Sequence, residues 1–276
     1  MLKEFAEVMR YRDLLINLVI RDLKVRYKNS VLGFFWSLIN PLLQVATITI
    51  VFKIVMPNMP QNYSAYLLCA FIPWTFFQMS VMDSSMSVLF HGNMVKKIYF
   101  PREILPISIV ISNLIHFVLA MGIFFIYLLV IGTPIRITWL LLPAVALIQF
   151  MLNMGVSFFV SCLNVFYEDI KYLATVLLNL LYFALPIMYV VEQVSGSSRV
   201  PEQYKPIITL LYYLNPLPLL LTAYRKMLLP PRSIGAIQDM PLNYWYLVLA
   251  GVTSLIILIA GYAFFNSRKW YFAERL

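Results

Sequence analysis

Long runs without a charge alternate with short basic clusters along this chain. Asp, Glu, Lys and Arg are absent from residues 29–52, 54–82, 104–135, 137–167, 172–191 and 240–267. Each run can hold the about 20 residues that cross the hydrocarbon core of a bilayer as an α-helix. Hydrocarbon offers no partners to backbone N–H and C=O groups, so an internally bonded helix is the element these runs predict. A seventh run, 206–224, is cut by Asn215-Pro216-Leu217-Pro218. Pro216 and Pro218 would break a helix in mid-membrane, which predicts two short re-entrant helices on the outer side before the last span. The pattern thus predicts an all-α polytopic membrane protein with six transmembrane helices near 32–56, 64–90, 105–131, 138–164, 171–191 and 243–265.

Ahead of the first run the periodicity changes. Arg10, Asp13, Asn17, Arg21, Lys24 and Lys28 recur at steps of three or four, with Tyr11, Leu15, Leu18 and Val25 on the opposite side. That spacing predicts an amphipathic helix within residues 1–30, lying in the cytoplasmic membrane interface, ahead of a single transmembrane domain over 31–276. The basic residues orient the spans. Lys3 to Lys28 precede the first, Lys96, Lys97 and Arg102 follow the second, and Arg268, Lys269 and Arg275 follow the last, whereas the turn at 57–63 has no charge. Positive charge is retained inside, so both termini are expected in the cytoplasm.

Of 276 residues, 62% are hydrophobic and 12% charged, against roughly 25% charged in a soluble domain. The net charge of +9 lies along membrane boundaries, which points to anionic lipid head groups and not to nucleic acid. Cys69 and Cys162 fall inside predicted spans as small apolar side chains, with no disulfide expected. The charged start of the chain does not read as a cleavable signal. Catalytic constellations are missing from the sequence: His91 and His116 stand alone, no metal-ligand spacing occurs, and no G-x-x-x-x-G-K-[ST] phosphate loop is present. The chain therefore reads as a non-enzyme with no cofactor of its own.

Polar side chains recur at helical spacing inside several spans: Ser37, Asn40, Gln44 and Thr47 in the first, Ser80, Asp83 and Ser87 in the second, Gln149, Asn153, Ser157 and Ser161 in the fourth, and Tyr172, Asn179, Tyr182 and Tyr189 in the fifth. Such stripes either glue helices together or line a polar path. Asp83 is the acid deepest in a charge-free stretch, open to a functional role or to a bond with a neighbouring helix or Lys96. The fifth-span tyrosines could stack on sugar rings, while Phe34-Phe35-Trp36 and Trp74 read as interfacial anchors. The inner loop His91-Gly92-Asn93-Met94-Val95-Lys96-Lys97-Ile98-Tyr99-Phe100-Pro101-Arg102-Glu103 mixes bases with apolar side chains expected to be exposed, as for docking onto another protein or resting at head groups.

Four stretches together resemble the type-2 permeases of ABC transporters that export lipid-linked polysaccharides such as O antigen and wall teichoic acid. They are residues 21–42, including Arg26-Tyr27-Lys28-Asn29-Ser30 and Phe34-Phe35-Trp36-Ser37; Ile72-Pro73-Trp74-Thr75-Phe76-Phe77; residues 93–106; and Tyr167-Glu168-Asp169-Ile170 followed by Leu185-Pro186-Ile187-Met188-Tyr189. Glu168 departs from the base that the family often has there.

The resemblance implies a homodimer in the plasma (inner) membrane working with two copies of a separate ABC ATPase subunit, which would bind ATP and Mg. It also implies a coupling helix at 91–103, with His91, Met94, Lys96, Lys97, Tyr99, Phe100, Arg102 and Glu103 meeting the ATPase beside Arg21 and Arg26. The translocation path would use Ser37, Asn40, Gln44, Asp83, Asn179, Tyr182 and Tyr189. Outer gate helices at 200–229 would carry Tyr212, Tyr213, Pro216 and Pro218. Between the two substrates, the look of Asn93-Met94-Val95 leans to teichoic acid. An ABC exporter of drugs or small lipids, or an ATPase-independent channel or secondary transporter, are the alternatives.

Overall fold

The computed structural model describes residues 7–28, 35–55, 62–189, 202–231 and 243–276. No strand occurs among them, and the helices are α1 (Arg12–Tyr27), α2 (Phe35–Val55), α3 (Tyr63–Phe90), α4 (Gly92–Lys97), α5 (Ile104–Val130), α6 (Leu142–Phe166, entered through a 3₁₀ turn at Ile137–Leu141), α7 (Ile170–Ala184), α8 (Lys205–Leu214), α9 (Pro216–Leu228), α10 (Tyr244–Arg268) and α11 (Phe272–Arg275). Among the described residues, four helical stretches are long and apolar enough to cross a membrane: Tyr63–Phe90, Ile104–Val130, Ile137–Phe166 and Tyr244–Arg275. Leu42–Val51 within α2 and Ile170–Ala184 are shorter apolar helices.

α3 is the central post, packed against α2, α5, α6, α7 and α9. The fourth-span stripe is what holds α6 to it. Gln149 donates to the Pro73 carbonyl at 2.6 Å, Asn153 donates to Ser80 Oγ at 3.3 Å, and Ser157 donates to the Ser80 carbonyl at 3.2 Å. These side chains are buried, so this stripe is interhelical glue and not a conduit face. Trp74 is likewise no interfacial anchor: it is buried mid-helix, with Phe77 and Tyr182 each 6.0 Å away between ring centroids.

α10 crosses α6 at two glycines. A Cβ on Gly261 would stand 2.2 Å from the Gly155 carbonyl oxygen, and one on Gly155 would stand 2.7 Å from the Ile257 backbone. Only glycine admits this backbone-to-backbone approach.

Prolines set two boundaries. α7 stops at Ala184, short of the 191 expected from the charge-free run, because Pro186 forces Leu185 into extended backbone (φ −81°, ψ 151°). Asn215 caps α9 by accepting from Leu217 N–H at 3.0 Å, with Pro216 in the first turn, where a missing N–H is harmless. Pro216 and Pro218 therefore start a helix, and both are buried in it. The Glu192 to Val200 stretch, Ser195-Gly196-Ser197-Ser198 included, lies outside the described residues.

Candidate functional site

Three polar assemblies stand out along the bundle. At the end that carries α4, the loop between α3 and α5 divides its apolar side chains. Val95 and Phe100 are buried against Val88, Ile104, Phe265 and Phe272, while Ile98 and Tyr99 are 60% and 69% exposed. The expectation that all of them are exposed is corrected for Val95 and Phe100, since a six-residue helix (Gly92–Lys97) needs an inward face to stay in place. Lys96 and Lys97 are exposed, and Met94 packs partly against the same core.

Glu103 is also turned inward. Its carboxylate meets Lys269 Nζ at 2.5 Å in a buried ion pair, and Arg102 donates to the Lys269 carbonyl. Both residues thus fasten the loop to the end of α10 instead of presenting free charges. Phe272 of α11 closes this corner against Phe265 and Phe166, and Leu276 lies over Gly92.

α1 is tied to the bundle by two groups from the expected coupling set. Arg26 reaches Asp83 Oδ2 at 2.6 Å and Asn113 Oδ1 at 3.0 Å, and Asn113 donates back to Asp83 at 3.1 Å. Asp83 is thus bound by Arg26 and Asn113, not by Lys96. Arg21 lies on Asp22 at 3.0 Å and on His91 Nε2. His91 Nδ1 is 2.6 Å from the Ser87 carbonyl, so Nδ1 carries the proton and Nε2 accepts. Burial above all, and then the Arg21 charge, lower the His91 pKa below 6.5, against raising contributions from the Ser87 carbonyl and Asp22.

In the bundle, a cavity of about 410 Å³ is lined by Gln44, Trp74, Gln78, Asn113, His116, Asn179 and Tyr182, among others. It brings together Gln44, Asn179 and Tyr182 from the expected path. The side chains of Ser37 and Asn40 lie outside the described residues, and Asp83 adjoins the cavity only through Asn113. Asn113 and His116, three residues apart on one helix face of the third run, are lining residues the sequence reading passed over.

Toward the far end, Tyr189 joins the expected gate rather than the cavity. Its hydroxyl meets that of Tyr212 and donates to the Ala184 carbonyl at 2.5 Å. Tyr213 stacks on Tyr246 at 4.8 Å, their hydroxyls 2.8 Å apart. Arg225, which the sequence reading did not single out, is buried in α9 and donates to the carbonyls of Pro186 (2.5 Å), Ile187, Tyr189 (3.0 Å) and Tyr66 (3.4 Å), with its guanidinium 3.9 Å from the Tyr66 ring centroid. A lone Arg amid the leucines of 216–229 was the available signal. Among the described residues no group of three His, Cys, Asp or Glu could hold a metal ion.

The family model for ABC-2 type transporters matches residues 13–229. The chain is 33% identical over 265 residues to an O-antigen export system permease protein, RfbA, of Klebsiella pneumoniae, covering 96% of this chain and 95% of the relative. A second Klebsiella pneumoniae RfbA is 32% identical over the same shares. A Myxococcus xanthus protein of that name is 31% identical over the whole of both chains. This match over most of its length makes the chain a member of the ABC-2 type transporter family.

Proposed function

We propose that the chain is the membrane permease subunit of an ATP-driven exporter that moves a lipid-linked polysaccharide out of the cytoplasm. The observation that carries this is the likeness, end to end, to relatives named as O-antigen export permeases. It favours O antigen over teichoic acid as the substrate class. Two permease copies would assemble with two ATPase subunits in the inner membrane, both chain termini in the cytoplasm. α2 and α7 would supply the two further spans, since the 21 helical residues of α2 reach about 31 Å and α7 is a 15-residue apolar helix. α1 would lie at the cytoplasmic interface, and α8 and α9 would form the outer gate.

The polar cavity fits a long hydrophilic polymer because its amides and rings offer many weak contacts instead of one tight site. Loop 91–103 would be the coupling element, touching the ATPase through Ile98, Tyr99, Lys96 and Lys97. The test is copurification of the ATPase subunit from co-expressing cells, followed by ATP turnover. Changing Tyr99 and Ile98 together to Asp is expected to lower copurification or turnover at least tenfold while the permease still reaches the membrane. Unchanged assembly and turnover would remove the coupling role from this loop.

A further inference from the structure

A second cavity, of about 790 Å³, lies between α5, the turn that follows it, α6 and α9. The export reading makes no use of it. Its walls are apolar, including Met121, Phe125 and Ala146, and its rim carries exposed Val118, Ile137 and Leu140. At this rim it is open to the surroundings of the bundle. Phe117 is a wall it shares with the polar cavity. Where a Cβ would stand on Gly122 there is open space.

Polar groups in this lining are nearly all donors. Arg136 gives Nη1 to the carbonyls of Lys226 and Leu229 at 3.0 and 2.7 Å. Trp139 Nε1 and the Tyr224 hydroxyl are buried without a hydrogen-bond partner among the described residues, although Tyr224 is 0% exposed. Among the described residues no carboxylate lines the space, and Trp and Arg can only donate. Leaving such donors unpaired is costly. Water is a poor occupant because the walls are apolar. A polypeptide would bring donors of its own, whereas an apolar chain ending in acceptor oxygens suits both the walls and the donors.

We propose that this cavity is a binding site for a bilayer phospholipid, with an acyl chain inside it and ester and phosphate oxygens against Arg136, Trp139 and Tyr224. Arg beside Trp at a helix end is also the pairing expected where a chain meets head groups.

The test uses the protein reconstituted into bilayers containing phosphatidylethanolamine with a photoactivatable acyl chain. Peptides from residues 117–146 are expected to carry the label above the level of other lipid-facing helices, and unlabelled phosphatidylethanolamine should compete. Gly122→Leu fills the open space, should fold because leucine favours a helix more than glycine does, and is expected to cut labelling at least fivefold. Trp139→Phe keeps the ring, loses the donor and should weaken labelling two- to threefold. Equal labelling of all lipid-facing helices, no response to Gly122→Leu, or displacement of the label by lipid-linked polysaccharide instead of phospholipid would overturn the proposal. Labelling is read without transport, so failure here leaves the export reading standing and failure of export leaves this site standing.

Discussion

Glu103 and Lys269 lie 166 positions apart and meet at 2.5 Å in a buried pair. Removing one partner of such a pair strands a buried charge, at about 3–5 kcal/mol, whereas removing both can be nearly neutral. Lys269→Met is therefore expected to lower the melting temperature of the solubilised protein clearly, and Lys269→Met with Glu103→Leu to recover most of the loss. A double variant no more stable than the single one would show that the pair does not act as a unit. Side-chain destinations of this kind were poorly legible in the sequence. Basic and apolar character located loop 91–103, but nothing local tells Phe100 and Glu103, which turn inward, from Tyr99, which stays out. Arg225 is the sharper case: its value comes from carbonyls freed by Pro186, some forty positions earlier (38 to Ile187), and such pairing leaves no spacing to read.

At the scale of elements, charge-free runs located the long helices well, because length and apolarity alone decide what can cross a bilayer. Their contacts were less visible, as the α6–α10 crossing shows. Alanine is the better helix former by about 1 kcal/mol, so Gly261→Ala would stabilise an open helix face. Here the added Cβ falls 2.2 Å from the Gly155 carbonyl oxygen, a backbone atom that no rotamer change can move away. The clash is expected to win by on the order of 1–3 kcal/mol, seen as a lower melting temperature. Gly122→Ala, with open space at its Cβ, should leave melting unchanged or raise it. Equal behaviour of the two variants would mean that the helices do not cross at these glycines. The polar stripes read from the sequence divided in the same way: α6 spends its stripe on α3, while Gln44, Asn179 and Tyr182 reach a cavity, and a periodic pattern cannot distinguish the two uses.

Taken as a whole, the molecule joins α1 to the spans through charged groups at the α4 end, so movement of α1 is linked to α3 and α5. The Arg26–Asp83–Asn113 triangle and the Arg21–His91 contact carry this link. His91 makes one half of it sensitive to pH. Neutral His91 accepts from Arg21 at Nε2, and protonation replaces that lone pair with a proton facing a guanidinium. Its folded pKa is lowered from 6.5, so above about 6.5 both folded and unfolded forms are neutral and the contribution to stability is complete. As pH falls below 6.5 and through the lower folded value, the undocked form takes up the proton first, and the contribution is lost. Amide hydrogen exchange of α1, corrected for its intrinsic pH dependence, should thus show protection that is constant from pH 8 to 7 and declines toward pH 5. His91→Gln keeps an acceptor and a donor without titrating, and should flatten the profile. A decline of the same size in His91→Gln would assign the pH response to another group and leave Arg26–Asp83 as the tie that holds α1.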